Sequence, residues 1–261
     1  MNILPQKDDD SSAQLSQGRV LTITVIAMGI VYLLWNISAL DFVMVPLRLF
    51  VTYIHEAGHS LMAVITGGRV IGFSVYSDGS GIATTAGGSR ALILPAGYLG
   101  AAFFGAALFY ATNAFKRPRT VSMVVGIGLI IITVMYANIG LDDSPWALVI
   151  GIVFGAGLIG MGWKLSRDIN LLLLNVLAVV TGLNALLDVW ILAQNSDITA
   201  GNGRIRNDAL AFSEDIAPIL PASVWAIIWA ILALAMLAAA VYYSLLRPIL
   251  NDAAQSKEQD V

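Results

Sequence analysis

The sequence predicts an all-α polytopic membrane protein, a bundle of about seven transmembrane helices with a short membrane-associated β-hairpin after the second helix, and three observations carry that prediction. The first is composition: 58% of the 261 residues are hydrophobic and only 12% are charged, where an ordinary soluble domain carries roughly 25% charged residues. The second is segregation. From Val20 onward the apolar residues gather into runs at about 20–40, 43–66, 91–115, 120–140, 146–163, 171–194 and 222–246, each near the roughly 20 residues that a helix needs to cross the hydrocarbon core. The third is punctuation. The breaks at 116–119, 141–145 and 164–170 are short and carry Pro118, Asp142, Asp143, Pro145, Lys164 and Arg167, as tight connections in a helical bundle require.

The remaining elements follow in order. Residues 1–19 form a polar tail with Asp8, Asp9 and Asp10, which needs no order of its own. Residues 20–246 read as a single integral-membrane domain without internal repeats, and 247–261 as a polar C-terminal tail. The absence of cysteine excludes disulfides and thiolate metal sites. A net charge of -3, with no basic run longer than Lys116, Arg117 and Arg119, speaks against a nucleic-acid partner. Residues 67–90 place β-favouring residues on both sides of "SDGSG", which reads as a β-hairpin. An open sheet edge leaves amide groups unpaired in lipid, so the hairpin belongs at an interface or against protein, facing a wet cavity. Residues 195–221, with Arg204, Arg206, Glu214 and Asp215, read as a polar loop that could cover one end of the bundle.

A charged side chain inside a bilayer costs about 2.5–3.5 kcal/mol on insertion scales, so each one asks for a reason. The span interiors hold Arg48, His55, Glu56 and His59 in the second run and Asp188 in the sixth. Arg48 is placed to snorkel to the interface or to pair with Asp41. Both histidines of the chain stand in one pentapeptide, "HEAGH". Residues four apart share a helix face, so His55 and His59 can direct imidazole nitrogens at one zinc ion. Glu56 then lies beside the metal without having to be a ligand, where it can take a proton from water attacking a carbonyl. The competing reading is a pair of core histidines, each satisfied by a hydrogen bond. A catalytic zinc site wants three protein ligands, and with no third histidine and no cysteine the third must be an oxygen. Asp188, near the middle of the sixth span, is the first candidate, with Asn184 one turn earlier to orient it or to hydrogen-bond a substrate carbonyl. The other reading of this pair is a structural clamp between helices, in which case Asp142, Asp143 or Asp197 supplies the ligand.

An intramembrane "HEAGH" followed by "GGRV", a "SDGSG" turn, "GG", "PAGYLG" in the next span and an Asn-x-x-x-Asp in a late span resembles the M50 peptidases, the site-2-protease type of intramembrane zinc metalloprotease, and their M50B-like bacterial branch in particular. The better-studied members of that family carry an Asn-Pro pair and a Leu-Asp-Gly where this chain reads "NALLDVW". The resemblance implies one Zn2+ per chain bound by His55, His59 and Asp188, with Glu56 as general base. It also implies that the hairpin presents the substrate. The strand Val70 to Tyr76, with Val70, Gly72, Ser74 and Tyr76, could then hold an unwound transmembrane polypeptide by main-chain hydrogen bonds; the alternative is a plug packing the cavity wall. Gly97, Gly100, Ala101 and Gly105 suit close helix packing behind the zinc helix. The expected activity is hydrolysis of peptide bonds in membrane-protein substrates, in a compact form that suits a bacterial inner membrane. The alternatives are a catalytically inactive zinc-site scaffold or chaperone, and a zinc hydrolase of a small or lipid substrate. Basic residues at 116–119, 164–167 and 247 argue for a cytoplasmic C-terminus, whereas Lys7, Arg19, Arg69, Arg90 and the resemblance argue for a cytoplasmic hairpin side.

Overall fold

The computed structural model describes residues 16–115, 117–137, 144–195, 199–200, 203–204 and 207–251. Most of both polar tails, and Asp142, Asp143 and Asp197, lie outside the described residues. In chain order the elements are α1 (Gln17–Asn36), a 3-10 turn (Ser38–Leu40), α2 (Asp41–Ile65), β1 (Arg69–Val75), β2 (Gly81–Ala86), α3 (Arg90–Ala114), α4 (Pro118–Tyr136), α5 (Trp146–Lys164), α6 (Arg167–Asn195), the two-residue strands β3 (Thr199–Ala200) and β4 (Gly203–Arg204), α7 (Asp208–Asp215) and α8 (Ala222–Val241). All the helices except α7 belong to segments long and apolar enough to cross a membrane, seven in all among the described residues. The protein is an integral, multi-pass membrane protein, and the expected bundle is present.

Local chemistry sets the boundaries. Ser16 caps α1 by accepting from the Arg19 N–H (3.3 Å). Pro118 opens α4, where its missing N–H would have had no helical partner. Gly67 ends α2 with φ at +84°, a left-handed turn that a side chain would strain. The bundle packs an apolar core and also carries apolar residues on its outer face. Val134, Trp163 and Ile231 point outward, each more than 60% exposed, as lipid contact allows. Thr24, Asn113 and Asn175 are buried instead: the Asn113 amide donates to Asn175 Oδ1 (2.8 Å), and the Thr24 hydroxyl donates to Asn113 Oδ1 (3.0 Å), so that α1, α3 and α6 are joined by hydrogen bonds. Small residues bring backbones together: a Cβ on Gly105 of α3 would lie 2.6 Å from the Gly182 nitrogen of α6, and one on Gly126 of α4 would lie 2.6 Å from the Gly155 carbonyl oxygen of α5.

The hairpin folds back onto α2 with β1 and β2 antiparallel, pairing Arg69 with Ala86 at one end and Val75 with Gly81 at the other. β1 is its inner strand. Phe73 and Val75 are fully buried, and the Phe73 ring meets Tyr53 of α2 edge-on at 5.1 Å. The outer edge of β1 bridges Ala137 after α4, and the Ser144 hydroxyl donates to the Val75 carbonyl (2.5 Å). At the tip, Asp78 accepts from the Ser80 N–H (2.9 Å), and the Thr52 hydroxyl of α2 donates to the Gly79 carbonyl (2.8 Å), which pins the turn to the helix bearing the histidines. Arg48 faces Asp41 at 4.0 Å, the second of its two expected partners.

Candidate metal centre

One turn of α2 presents both imidazoles to the same point. Their ring centroids are 4.7 Å apart and their Nε2 atoms 3.0 Å apart. The neighbouring helix makes room for them: any side chain at Gly97 of α3 would run into both rings, and one at Gly58 of α2 would collide with the Ala96 carbonyl. Gly58 and Gly97 are therefore packing requirements of the site. His59 Nδ1 lies 2.7 Å from the Ile93 carbonyl oxygen. A carbonyl can only accept, so Nδ1 carries the proton and Nε2 is left with its lone pair directed at the shared point. Tyr98 of α3 packs edge-on against the His55 ring at 4.5 Å.

The third donor is Asp208, the first residue of α7. Its Oδ2 stands 3.4 Å from His55 Nε2 and 3.3 Å from His59 Nε2, and the three donor atoms lie within 4.8 Å of one another. Several anchors hold α7 in place. The Asn207 side chain caps it by accepting from the Leu210 N–H (2.9 Å), Phe212 packs against Trp225 and Trp229 at 4.8 and 5.5 Å, and Asp215 pairs with Arg90 of α3 at 2.9 Å. A bare imidazole nitrogen facing a carboxylate oxygen sets lone pair against lone pair, so the arrangement calls for a cation between them. When protons fill that role, burial pushes the Asp208 carboxyl up, but hydrogen bonds and charge from His55 and His59 outweigh it and hold the group well below the ordinary carboxylate range. Donors at about 2.0–2.1 Å from a tetrahedral zinc stand roughly 3.3 Å from each other, close to the separations here. Two imidazoles and one carboxylate fit zinc.

Glu56 points away from this triad toward the hairpin. Its carboxylate is buried, with 5% of the residue exposed, and lies near the backbone N–H of Ala83 in β2. Gly81 lies so close that a Cβ there would be 2.5 Å from Glu56 Oε1. A cavity of about 880 Å³ runs between β2 and the triad, lined by His55, Glu56, His59 and Asp208 on one side and by Gly81 to Thr85 on the other.

The structure therefore brings His55, Glu56 and His59 together as expected, and it changes the rest of the expected site. Asp188 does not join the triad. It lies on α6 beside a second cavity of about 370 Å³ on another side of His55. Asp208 occupies the third position because 195–221 is more than a loop: "NDALAF" is a helix start, with a capping Asn and an acid before apolar residues, and that was the available signal. Asn184 donates to Val180 of its own helix (2.8 Å) and lines neither cavity. Val70, Gly72, Ser74 and Tyr76 belong to the inner strand or the turn after it, and Ser74 is buried. The strand bordering the cavity is β2, because β1 turns its free edge to Ala137.

Residues 23–240 match the family described as Peptidase M50B-like. No curated protein and no solved structure matches the chain.

Proposed function

The chain belongs to the Peptidase M50B-like family of membrane metalloproteases, and from that premise we propose that it is a zinc endopeptidase that hydrolyses peptide bonds of membrane-protein substrates within or beside the bilayer. His55, His59 and Asp208 hold one zinc ion, and Glu56 is the general base. The observation that carries this reading is the convergence of three donor atoms within 4.8 Å at the wall of a cavity that also holds a buried carboxylate. Zinc bound there supplies Lewis acidity, which makes water a nucleophile near neutral pH and polarises a carbonyl.

The protein's own groups do the rest. Glu56 takes the proton of the attacking water on a carboxylate oxygen and returns it to the leaving amine nitrogen. Ala83 of β2 lines the same cavity as that carboxylate. His59 is held in the metal-binding tautomer by Ile93. A transmembrane substrate hides its peptide bonds until it is unwound, and the free edge of β2 offers main-chain groups to an extended segment in the adjoining cavity. An inert zinc scaffold would have no use for a buried carboxylate facing that cavity.

The test is digestion of a panel of transmembrane peptides by the zinc-loaded full chain in detergent, read by mass spectrometry. Wild type should cut at defined bonds. Glu56→Gln should keep its zinc and lose about 10²–10⁴-fold in rate, as expected on removing a general base. A Glu56→Gln protein as active as wild type, or a zinc-loaded wild type that cuts nothing, would overturn the reading.

A further inference from the structure

Asp188 is an intramembrane acid that the chemistry above leaves unused. It lies inside α6 away from both helix ends and is exposed to the smaller cavity, and its carboxylate makes no hydrogen bond or ion pair among the described residues. His55 and then Arg48 are the groups whose charge reaches it, yet the His55 Nε2 faces Asp208 and the Arg48 guanidinium faces Asp41. An acid retained at this depth without a partner asks for one from outside the chain.

The cavity is placed to receive such a partner. It shares His55 and Tyr98 with the larger cavity, so the two meet at the metal centre. It is lined by Gly79, at the hairpin tip just beyond the Gly81 end of β2, and by Thr52 of α2, whose hydroxyl donates to Gly79. An extended peptide running along β2 past the metal centre enters this cavity as it leaves the strand. Val51, Ile191 and Leu192 offer apolar walls for a methylene stem, and Asp188 and Thr52 offer polar groups for its head.

Resting on the proteolytic reading, we infer that this cavity is a specificity subsite for a lysine or arginine side chain close to the scissile bond, with Asp188 as its counter-charge. Basic residues cluster at the cytoplasmic ends of transmembrane segments, where an unwound stretch is easiest to offer.

The experiment takes one peptide cut by the zinc-loaded full chain and remakes it with Lys, Leu or Glu at each position flanking the scissile bond. At one position Lys should exceed Leu about tenfold or more in kcat/KM, a size consistent with a close charge pair. Asp188→Asn should bring that ratio near one, and Asp188→Lys should turn it toward Glu. Binding of the same peptides, fluorescently labelled, to the Glu56→Gln protein should show the same order in Kd and lose it when Asp188→Asn is added. Zinc content reports whether the Asp188 variants keep the metal centre. The inference is overturned if no flanking position favours a cation, if the preference survives Asp188→Asn, or if Asp188→Asn strips the zinc. Binding that depends on both Lys and Asp188, without cleavage by wild type, would overturn the proteolytic reading and leave the cationic subsite standing.

Discussion

His59 is fixed at both nitrogens, by the Ile93 carbonyl at one and the shared donor point at the other, and this double constraint makes the centre sensitive to acid. Imidazoles bind metal only when that nitrogen is unprotonated. Asp208 is held below the ordinary carboxylate range by the two imidazoles, which keeps its carboxylate available as a ligand. Zinc occupancy should therefore fall as the pH is lowered, because protons compete with the metal for the imidazole nitrogens. Metal analysis after dialysis at stepwise lower pH checks this, and full occupancy persisting to pH values that protonate carboxylates would contradict it. The same residues divide cleanly in legibility. His55, Glu56 and His59 could be read because helical spacing alone puts them on neighbouring faces of one turn. Asp208 reaches them through the tertiary path of a capped helix docked on α3 and α8, and no spacing rule connects it to the histidines. Asp188 was the more visible acid because it lies within a span, where an unpaired charge attracts notice.

At the scale of elements, the hairpin was legible as a hairpin, whereas the strand that faces the cavity was not. Turn chemistry around "SDGSG" fixes the pairing of β1 with β2, but which outer edge is covered depends on Ala137 and Ser144, which are distant in sequence. Alternation along β2 yields a test. The Ala83 N–H is directed at Glu56, so two residues on the Thr85 N–H points to the same cavity, away from β1. Proline is tolerated where a strand's N–H leaves the ladder. Thr85→Pro should leave zinc content unchanged and weaken peptide binding about 2–10-fold, the range for one net hydrogen bond. An unchanged KM and Kd would place the substrate elsewhere.

At the scale of the molecule, the bilayer explains why so much of the architecture could be read. It sets span length and turns the apolar face outward, so composition alone marks the seven crossing segments. How the spans pack is set by features the runs do not advertise, such as Gly105 against Gly182 and the hydrogen bonds joining Thr24, Asn113 and Asn175. Asn175→Leu removes the acceptor of the Asn113 amide. It should lower bundle stability in detergent by roughly 0.6–1.7 kcal/mol, the range for hydrogen bonds between membrane helices, and should leave zinc content unchanged. Thermal unfolding with metal analysis measures both, and an unaltered or raised Tm would mean that the cluster contributes no net stability.

If zinc is held by His55, His59 and the acid from α7, the metal content depends on Asp208 and not on Asp188. Zinc per chain, measured on the purified full-length protein as wild type, Asp208→Ala and Asp188→Ala, tests it most directly. Wild type should hold about one zinc, Asp188→Ala should retain it, and Asp208→Ala should lose affinity by more than the 10–100-fold typical of losing an outer-shell partner. Zinc retained without Asp208 and lost without Asp188 would contradict it.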